Sequence, residues 1–199
     1  MAWGKAGSTT ASTTVNSLDS PTYTGSIFQQ ILYHDFAGTG GNMESLKFND
    51  SDTATVYAFR GSRDGGTDST EVNQNHIRTN DSAFGESFAV IYVCSITGEE
   101  KLVIGNEYDG NTTVGAPYIN RHEFVGKFVP ASDAPITKVA LDSVDGNRTY
   151  LVNSNISVLG SDLTPAAAIP FAENAQVGSR AEITDTRKIY HSVASTPTF

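Results

Sequence analysis

The sequence predicts an all-β protein that folds as an antiparallel β-sandwich of jelly-roll-like form. Thr, Val and Ile number 22, 15 and 12, against 8 Leu and 2 Met. β-branched side chains lose rotamer freedom in helices but fit the pleated surface of a sheet. Short apolar runs are separated by Gly, Asn and Asp at the intervals typical of sandwiches, and the helical crossovers that a parallel sheet needs are not found.

Three parts are expected along the 199 residues. Residues 1–11 are small and polar apart from Trp3, so they predict an extended N-terminal arm that docks by its indole, or else a frayed terminus. Residues 12–160 carry the strand patterns and are assigned to the sandwich. Residues 161–199 are assigned to a linker and a C-terminal hairpin arm.

The first predicted strand covers residues 27–36. Its apolar positions also have helical spacing, but the run is rich in β-formers and Gly38-Thr39-Gly40-Gly41 ends it abruptly. Shorter strands are expected at 46–48 and 56–60. The Gly- and Asp-rich chain over 61–82 predicts a polar loop that lies mostly on the surface.

A β-hairpin is the clearest element of the sequence. The β-rich runs 88–96 and 101–104 flank the short turn Thr97-Gly98-Glu99-Glu100. Both faces of the first run are apolar, so we expect this strand to be buried, with Val90 in the interior. The lone cysteine, Cys94, is expected to fill core volume as a small hydrophobe.

Further strands are predicted at 123–129, 136–141 and 155–159. In the first of these, Phe124 and Phe128 share one face because side chains alternate along a strand. Gly, Asn and Asp residues punctuate the intervals between these runs.

The chain beyond Gly160 has a different character. A Pro-bounded linker over 161–170 precedes two short β-rich runs, 181–184 and 187–190, which predict a hairpin. An isolated two-stranded hairpin is marginal in water, so it must pack on the sandwich or on another chain. Apolar side chains that would otherwise lie in water are expected to hold an assembly of several chains, together with the N-terminal indole: Trp3, Phe171, Val177, Ile183, Ile189 and Tyr190.

Charge and composition bear on several classes of partner. The formal net charge of −9 argues against a nucleic-acid partner, which needs a cationic face. The sequence has no run of eighteen apolar residues, so no membrane span is expected. The opening MAWGKAGSTT lacks an apolar h-region, and we expect no secretory signal peptide. A single cysteine can form neither an intrachain disulfide nor a cysteine-based zinc site.

Candidate sites for chemistry are weak in this sequence. The histidines lack the spacing of a metal site, there is no G-x-S-x-G elbow, and no phosphate-binding Gly-rich loop occurs. Two oxygen-rich loops could hold calcium, although turn formation explains them without an ion. Their carboxylates are Asp50, Asp52, Asp64 and Asp68. We therefore predict no catalytic residue, no cofactor and no metal, with these four aspartates as the calcium alternative.

Residues 1–160 resemble a group of uncharacterised virion structural proteins of marine bacteriophages, and four stretches carry this resemblance. The stretches are Met1–Thr10, Ser95–Leu102, Arg121–Phe128 and Ser154–Gly160. In addition, Val177–Tyr190 resembles a short segment that recurs near the ends of phage structural and fibre proteins, where a tryptophan usually follows the tyrosine. Here the only tryptophan is Trp3. The resemblance implies a virion protein and no catalytic residue.

The sequence and this resemblance together predict a non-enzymatic virion protein on the particle exterior, most simply a capsid decoration or cement protein. It would be made in the host cytoplasm and would associate with itself, with a trimer as the expected state, and with other virion proteins. The alternative is a tail-fibre tip that binds a receptor or a host glycan, with residues 61–82 and 106–120 as its contact surface. A polysaccharide depolymerase is the third hypothesis.

Overall fold

A computed structural model describes residues 3–36, 44–80, 86–110, 119–131, 134–144, 148–161, 180–183 and 188–191, the last two ranges for the backbone alone. The chain forms two compact units, Met1–Asp162 and Leu163–Phe199. This division lies within two residues of the predicted boundary at Gly160. The strands are β1 Trp3–Thr10, β2 Leu18–Asp19, β3 Phe28–Asp35, β4 Glu44–Phe48, β5 Tyr57–Arg63, β6 Ser69–Gln74, β7 Ile77–Arg78, β8 Ser87–Cys94, β9 Lys101–Gly110, β10 Ile119–Phe128, β11 Val139–Ser143, β12 Asn155–Ser161, β13 Arg180–Ile183 and β14 Lys188–His191.

The first unit is built from two antiparallel sheets. The large sheet has eight strands in the order β1-β12-β3-β8-β9-β10-β5-β6, and the small sheet has four in the order β2-β11-β4-β7. Buried side chains of both sheets form one hydrophobic core. The prediction of an all-β antiparallel sandwich is therefore confirmed, whereas its jelly-roll-like form stays a prediction.

The second unit contains a two-stranded antiparallel sheet. Strand β13 pairs with β14, with Ile183 opposite Lys188 and Ala181 opposite Tyr190. The predicted C-terminal hairpin strands therefore pair with each other.

Strand alternation gives the large sheet a core face and an outer face. On β3, β8 and β10 the core face carries Ile31, Ile91 and Phe124, all at most 4% exposed. Gly105 lies between Ile91 and Phe124 in the pairing register. A Cβ atom at Gly105 would overlap the ring of Phe124, so only glycine leaves room for this ring. The predicted strand nature of 27–36 and the predicted hairpin of 88–96 with 101–104 are both confirmed.

The expectation that β8 is buried on both faces is wrong. Ala89, Ile91 and Val93 are buried, but Phe88 and Tyr92 are exposed on the opposite face. The reason is that the small sheet covers only one side of the large sheet. Val90 and Cys94 also lie on the outer side and are half-buried, so neither occupies the core.

Two segments differ from their predicted form. Residues 3–10 were expected as an arm and form β1, which pairs along its length with β12 at the edge of the large sheet. The chain over 61–82 was expected as a surface loop and contains the end of β5, all of β6 and all of β7. Its polar composition reflects the edge position of β6, most of whose residues are exposed, while Ile77 is fully buried.

The two faces of β8 predict unequal losses of stability for aspartate substitutions at two neighbouring positions. Ile91→Asp places an unpaired carboxylate in the core and should cost about 3–5 kcal/mol of unfolding free energy, leaving mostly insoluble protein. Val90→Asp places the same group at a half-buried position on the outer face and should cost about 1 kcal/mol. Urea unfolding of both variants measures the difference, and equal losses would contradict the assignment of faces.

Candidate functional site

The outer face of the large sheet carries large apolar side chains in contact with solvent. Cross-strand pairing aligns them in rows, with Leu102 of β9 opposite Cys94 of β8 and Ile104 of β9 opposite Tyr92. We call the following residues, each 40–55% exposed and each lining one of the two grooves described below, the outer apolar face: Trp3, Phe28, Tyr92, Leu102, Ile104 and Val125. Single exposed apolar residues are ordinary, but a contiguous group on one sheet is typical of an interaction surface.

A groove of about 310 Å³ crosses the outer apolar face from Trp3 to Ile104. Few polar groups line it. The Gln29 side chain is directed to the interior, where its amide donates to the Ile136 carbonyl at 2.9 Å and its oxygen accepts from the Tyr23 hydroxyl at 2.8 Å. The groove lining therefore suits an apolar partner better than a ligand that needs many hydrogen bonds. The lining residues are Trp3, Phe28, Gln29, Tyr92, Val93, Cys94, Leu102, Val103 and Ile104.

A second groove, of about 460 Å³, continues the surface toward β5 and β6. It shares Leu102 and Val103 with the first groove and adds Val125, with Arg60 and Lys127 at its margins. The exposed apolar side chains thus continue from β3 across β8 and β9 to β10, with Trp3 of β1 at one end, and Lys127 lies directly opposite Leu102 among them.

The small sheet presents a different surface. Lys47 lies 2.7 Å from the Asp52 carboxylate and 3.1 Å from that of Asp142. Lys138 lies 2.6 Å from Asp50 and 3.1 Å from Asp19. Charged pairs of this kind are well solvated at a surface. The small sheet therefore presents ion pairs, whereas the exposed apolar side chains named above lie on the large sheet, which carries ion pairs of its own at Arg60–Asp68 and Lys127–Glu100.

A buried charged cluster lies inside the sandwich, formed by Asp35 of β3, Glu44 of β4, Glu107 of β9 and Arg148. The Arg148 guanidinium lies 2.5 Å from an Asp35 oxygen and 3.3 Å from a Glu44 oxygen. All four side chains are at most 2% exposed. Carboxylates in such sets act as acids and bases in enzymes, but this burial leads us to interpret the cluster as part of the core.

Neighbouring polar groups complete the hydrogen bonding of two of these carboxylates. Ser87 donates to Asp35 from its backbone N–H at 3.1 Å and from its hydroxyl at 2.5 Å. Glu107 accepts from the Asn80 amide at 2.6 Å and from the Tyr33 hydroxyl. Buried polar groups with such partners add specificity to a fold.

The cluster holds three carboxyl groups around one guanidinium, so full ionisation would leave negative charge in the core. Burial raises the pKa of the Glu44 carboxyl well above its ordinary value, and repulsion from Asp35 and Glu107 raises it further, while Arg148 lowers it. Burial also raises the pKa of Glu107, against the lowering effect of its hydrogen bond from Tyr33. The folded core therefore favours a protonated Glu44.

Each of the four calcium alternatives lies beside a basic side chain. Asp50 pairs with Lys138 and Asp52 with Lys47. In the other loop, Asp68 lies 2.7 Å from Arg60 and Asp64 lies 3.5 Å from Arg63, and the Asp64 carboxylate also accepts the Arg121 backbone N–H at 2.8 Å. The two loops do not gather into one ligand set, and the residues that the structure describes contain no group of three or more His, Cys, Asp or Glu able to hold a metal.

Of the residues predicted to hold an assembly, the structure brings only Trp3 to the outer apolar face. Phe171 and Val177 lie outside the described residues, and for Ile183, Ile189 and Tyr190 the backbone alone is described. The predictions for these five side chains stay open.

Most of the outer apolar face was not predicted from the sequence, although the sequence contains a pattern that is compatible with it. Apolar residues on both faces of 88–96 were interpreted as double burial, and the same ambiguity covers Leu102 and Ile104. A strand covered on both faces and a strand with an apolar docking face have the same residue pattern. Only the position of the second sheet distinguishes them.

Comparison with family models, curated proteins and solved structures finds no match to this chain. Across the described ranges, the structure contains no helix with the length and apolar character needed to cross a membrane.

The buried charged cluster predicts a stability that falls as pH rises. The Glu44 pKa is raised in the folded state from about 4.5, so this group's stabilising contribution is complete below about pH 4.5 and is lost as pH rises through the folded pKa. Glu107 acts with the same sign. The free energy of unfolding should therefore decrease as pH rises above about 4.5 toward the raised pKa of Glu44, by at most about 1.4 kcal/mol per pH unit for one proton.

Glu44→Gln should flatten this dependence, because the amide stays neutral at every pH. The matched control is Glu99→Gln, at an exposed position in the β8–β9 turn, which should leave the slope unchanged. Urea unfolding across the pH range measures all three proteins. An unchanged slope in Glu44→Gln would contradict the prediction.

Proposed function

We propose that this chain is a non-enzymatic structural protein of a bacteriophage particle, placed on the particle exterior, where it decorates or cements the capsid. The observation that carries the proposal is the two-sided sandwich, with the outer apolar face on the large sheet and ion pairs on the small sheet. A protein that lies between neighbouring subunits and water needs one surface of each kind.

The outer apolar face can supply the binding free energy of such an attachment. Six large side chains that are about half exposed present roughly 600 Å² of apolar surface. At about 25 cal/mol per Å², their burial is worth roughly 15 kcal/mol before the entropy of association is subtracted. In such a mechanical role, the protein holds neighbouring subunits together by burying apolar side chains at the contact, and it needs no catalytic site.

The resemblance to virion proteins supports the same role. The resembling stretches Met1–Thr10, Arg121–Phe128 and Ser154–Gly160 fall on β1, β10 and β12, and Ser95–Leu102 covers the β8–β9 turn. All of these elements belong to the large sheet or to its turns. The motifs that carry the resemblance thus lie in the layer that presents the outer apolar face.

The finer parts of the proposal follow from the sequence. The chain forms a jelly-roll-like sandwich, associates with itself and with other virion proteins, and uses residues 161–199 to help hold the assembly, with a trimer as the expected state. Neither nucleic acid nor a membrane is a partner. The chain is made in the host cytoplasm and becomes part of the virion.

A tail-fibre tip that binds a receptor or host glycan is the second candidate. Three exposed aromatic rings on one face, those of Trp3, Phe28 and Tyr92, favour it, because aromatic faces stack on sugars. The scarcity of polar groups in the groove favours a protein partner instead. The contact surface expected for this role is also different in form: 61–63 and 69–74 belong to β5 and β6, 106–110 and 119–120 belong to β9 and β10, and 111–118 lie outside the described residues.

Localisation on purified particles tests the proposal. Gold-labelled antibody against the chain should mark the capsid surface of the phage that encodes it, at many positions per particle. Label confined to the tail tip, together with binding of the purified chain to a host-glycan array, would support the second candidate. A chain absent from purified particles would contradict both.

A reducing-sugar assay on host glycans addresses the depolymerase hypothesis. The purified chain should release no reducing ends above a buffer control. Release that scales with protein concentration would contradict the non-enzymatic role.

A further inference from the structure

The edges of both sheets are poorly suited to bind a partner strand. Strand β1, at one edge of the large sheet, has an irregular register between Lys5 and Gly7. At the other edge, the pairing of β6 with β5 is interrupted between Tyr57 and Phe59, and Asn73 of β6 has a φ of 57°. The small sheet ends on β2 and β7, which have two residues each. Bulges and short edge strands oppose strand addition, so association through a sheet face is favoured.

The extent of the outer apolar face matches one side of a stable dimer. A standard interface buries about 800 Å² on each partner, of which about 56–65% is apolar, or roughly 500 Å². The exposed surface of the six side chains, roughly 600 Å², is of this size. The face alone can therefore form a complete interface without a further element.

Charge distribution also permits two copies to meet on this side. The charges on and beside this face are paired within the chain: Lys127 with Glu100 at 2.8 Å, Arg60 with Asp68 at 2.7 Å and Arg121 with Glu123 at 3.3 Å. Like-charge repulsion between copies is therefore small here, in spite of the formal net charge of −9. By contrast, the small-sheet side carries more acidic than basic groups around Lys47 and Lys138.

From these observations we propose that the outer apolar face binds a second copy of this chain, with the two large sheets packed face to face about a two-fold axis. A flat patch that contacts the same patch of its partner makes a closed, isologous pair. Two aligned sheets pack about 10 Å apart, close enough for Tyr92 and Ile104 of the two copies to interdigitate. The inference rests on the proposed function, in which this face is covered in the assembly. It names a second copy of the chain as the partner, and it replaces the trimer expected from the sequence with a two-fold dimer.

Cys94 provides a built-in reporter of this contact. It is the only cysteine of the chain, it is half-buried and it lines the groove on the outer apolar face. A thiol reagent in solution should therefore react with it slowly in a face-to-face dimer. In a monomer with a free face the reaction should be much faster.

The experiment compares the full-length chain with two matched variants. Val125→Lys introduces a charge into the outer apolar face, and Val152→Lys introduces the same charge at a site of nearly equal exposure outside the sheet, 47% against 50%. Circular dichroism checks that both variants keep the β spectrum. Sedimentation equilibrium gives the mass, and a chromogenic disulfide reagent gives the rate of Cys94 modification.

We expect the wild type and Val152→Lys to sediment as dimers, at twice the 21.2 kDa of the chain, with slow Cys94 modification. Val125→Lys should weaken dimerisation at least tenfold and should raise the modification rate by at least tenfold at the same protein concentration. Ile104→Lys should behave like Val125→Lys. Agreement between the two variants shows that the effect belongs to the outer apolar face and not to one position.

Three outcomes would overturn the inference. A monomer with fast Cys94 modification means a free face, and a monomer with slow modification means that another part of the chain covers it. A trimer whose mass is unchanged by Val125→Lys places the contact elsewhere. The particle-labelling result is independent of all three: a dimer absent from particles would contradict the proposed function alone, and a monomer present on the capsid would contradict this inference alone.

Discussion

A buried guanidinium, ion-paired with a carboxylate of the large sheet and lying beside a carboxyl group of the small sheet, connects the two layers of the sandwich. Arg148 contacts Asp35 of the large sheet and Glu44 of the small sheet, and both carboxylates are fully buried. Removing one partner from a buried ionic group leaves an uncompensated charge and typically costs 3–5 kcal/mol. This contact and the apolar core together place the small sheet against one face of the large sheet.

The small sheet covers one face of the large sheet, and this explains why apolar side chains are exposed on the other face. The large sheet has eight strands and the small sheet has four, so the small sheet can form a core with one side of the large sheet. Large, mainly apolar side chains at adjacent positions therefore differ in burial: Ile91 lies in the core, and Tyr92 lies at the surface. The same architecture therefore leaves large apolar side chains in contact with solvent on the outer side of the large sheet.

Fold class was accessible from the sequence because it depends on local preferences. β-branched composition and short punctuated runs predicted antiparallel strands, and the β8–β9 hairpin followed from two adjacent runs and a turn. The sequence could not predict which face of these strands is buried, because Val90 and Cys94 have the same apolar character as Ile91 and Val93. Burial of these residues is decided by β4 and β11, which are distant in sequence. The charged cluster was missed for the same reason, since Asp35, Glu44, Glu107 and Arg148 share no spacing pattern and meet only in the folded chain.

The close approach of Phe124 to Gly105 has a consequence for the whole exterior. A shift of β10 by two residues along β9 would place the ring opposite Val103 or Glu107, whose side chains occupy the space that Gly105 leaves empty. A shift by one residue would turn every alternate side chain to the other side of the sheet. The correct alignment of these central strands is thus selected by a position that has no side chain of its own. A substitution at this buried glycine would therefore change which residues are exposed on the outer face of the large sheet. The glycine itself contributes no atom to that face.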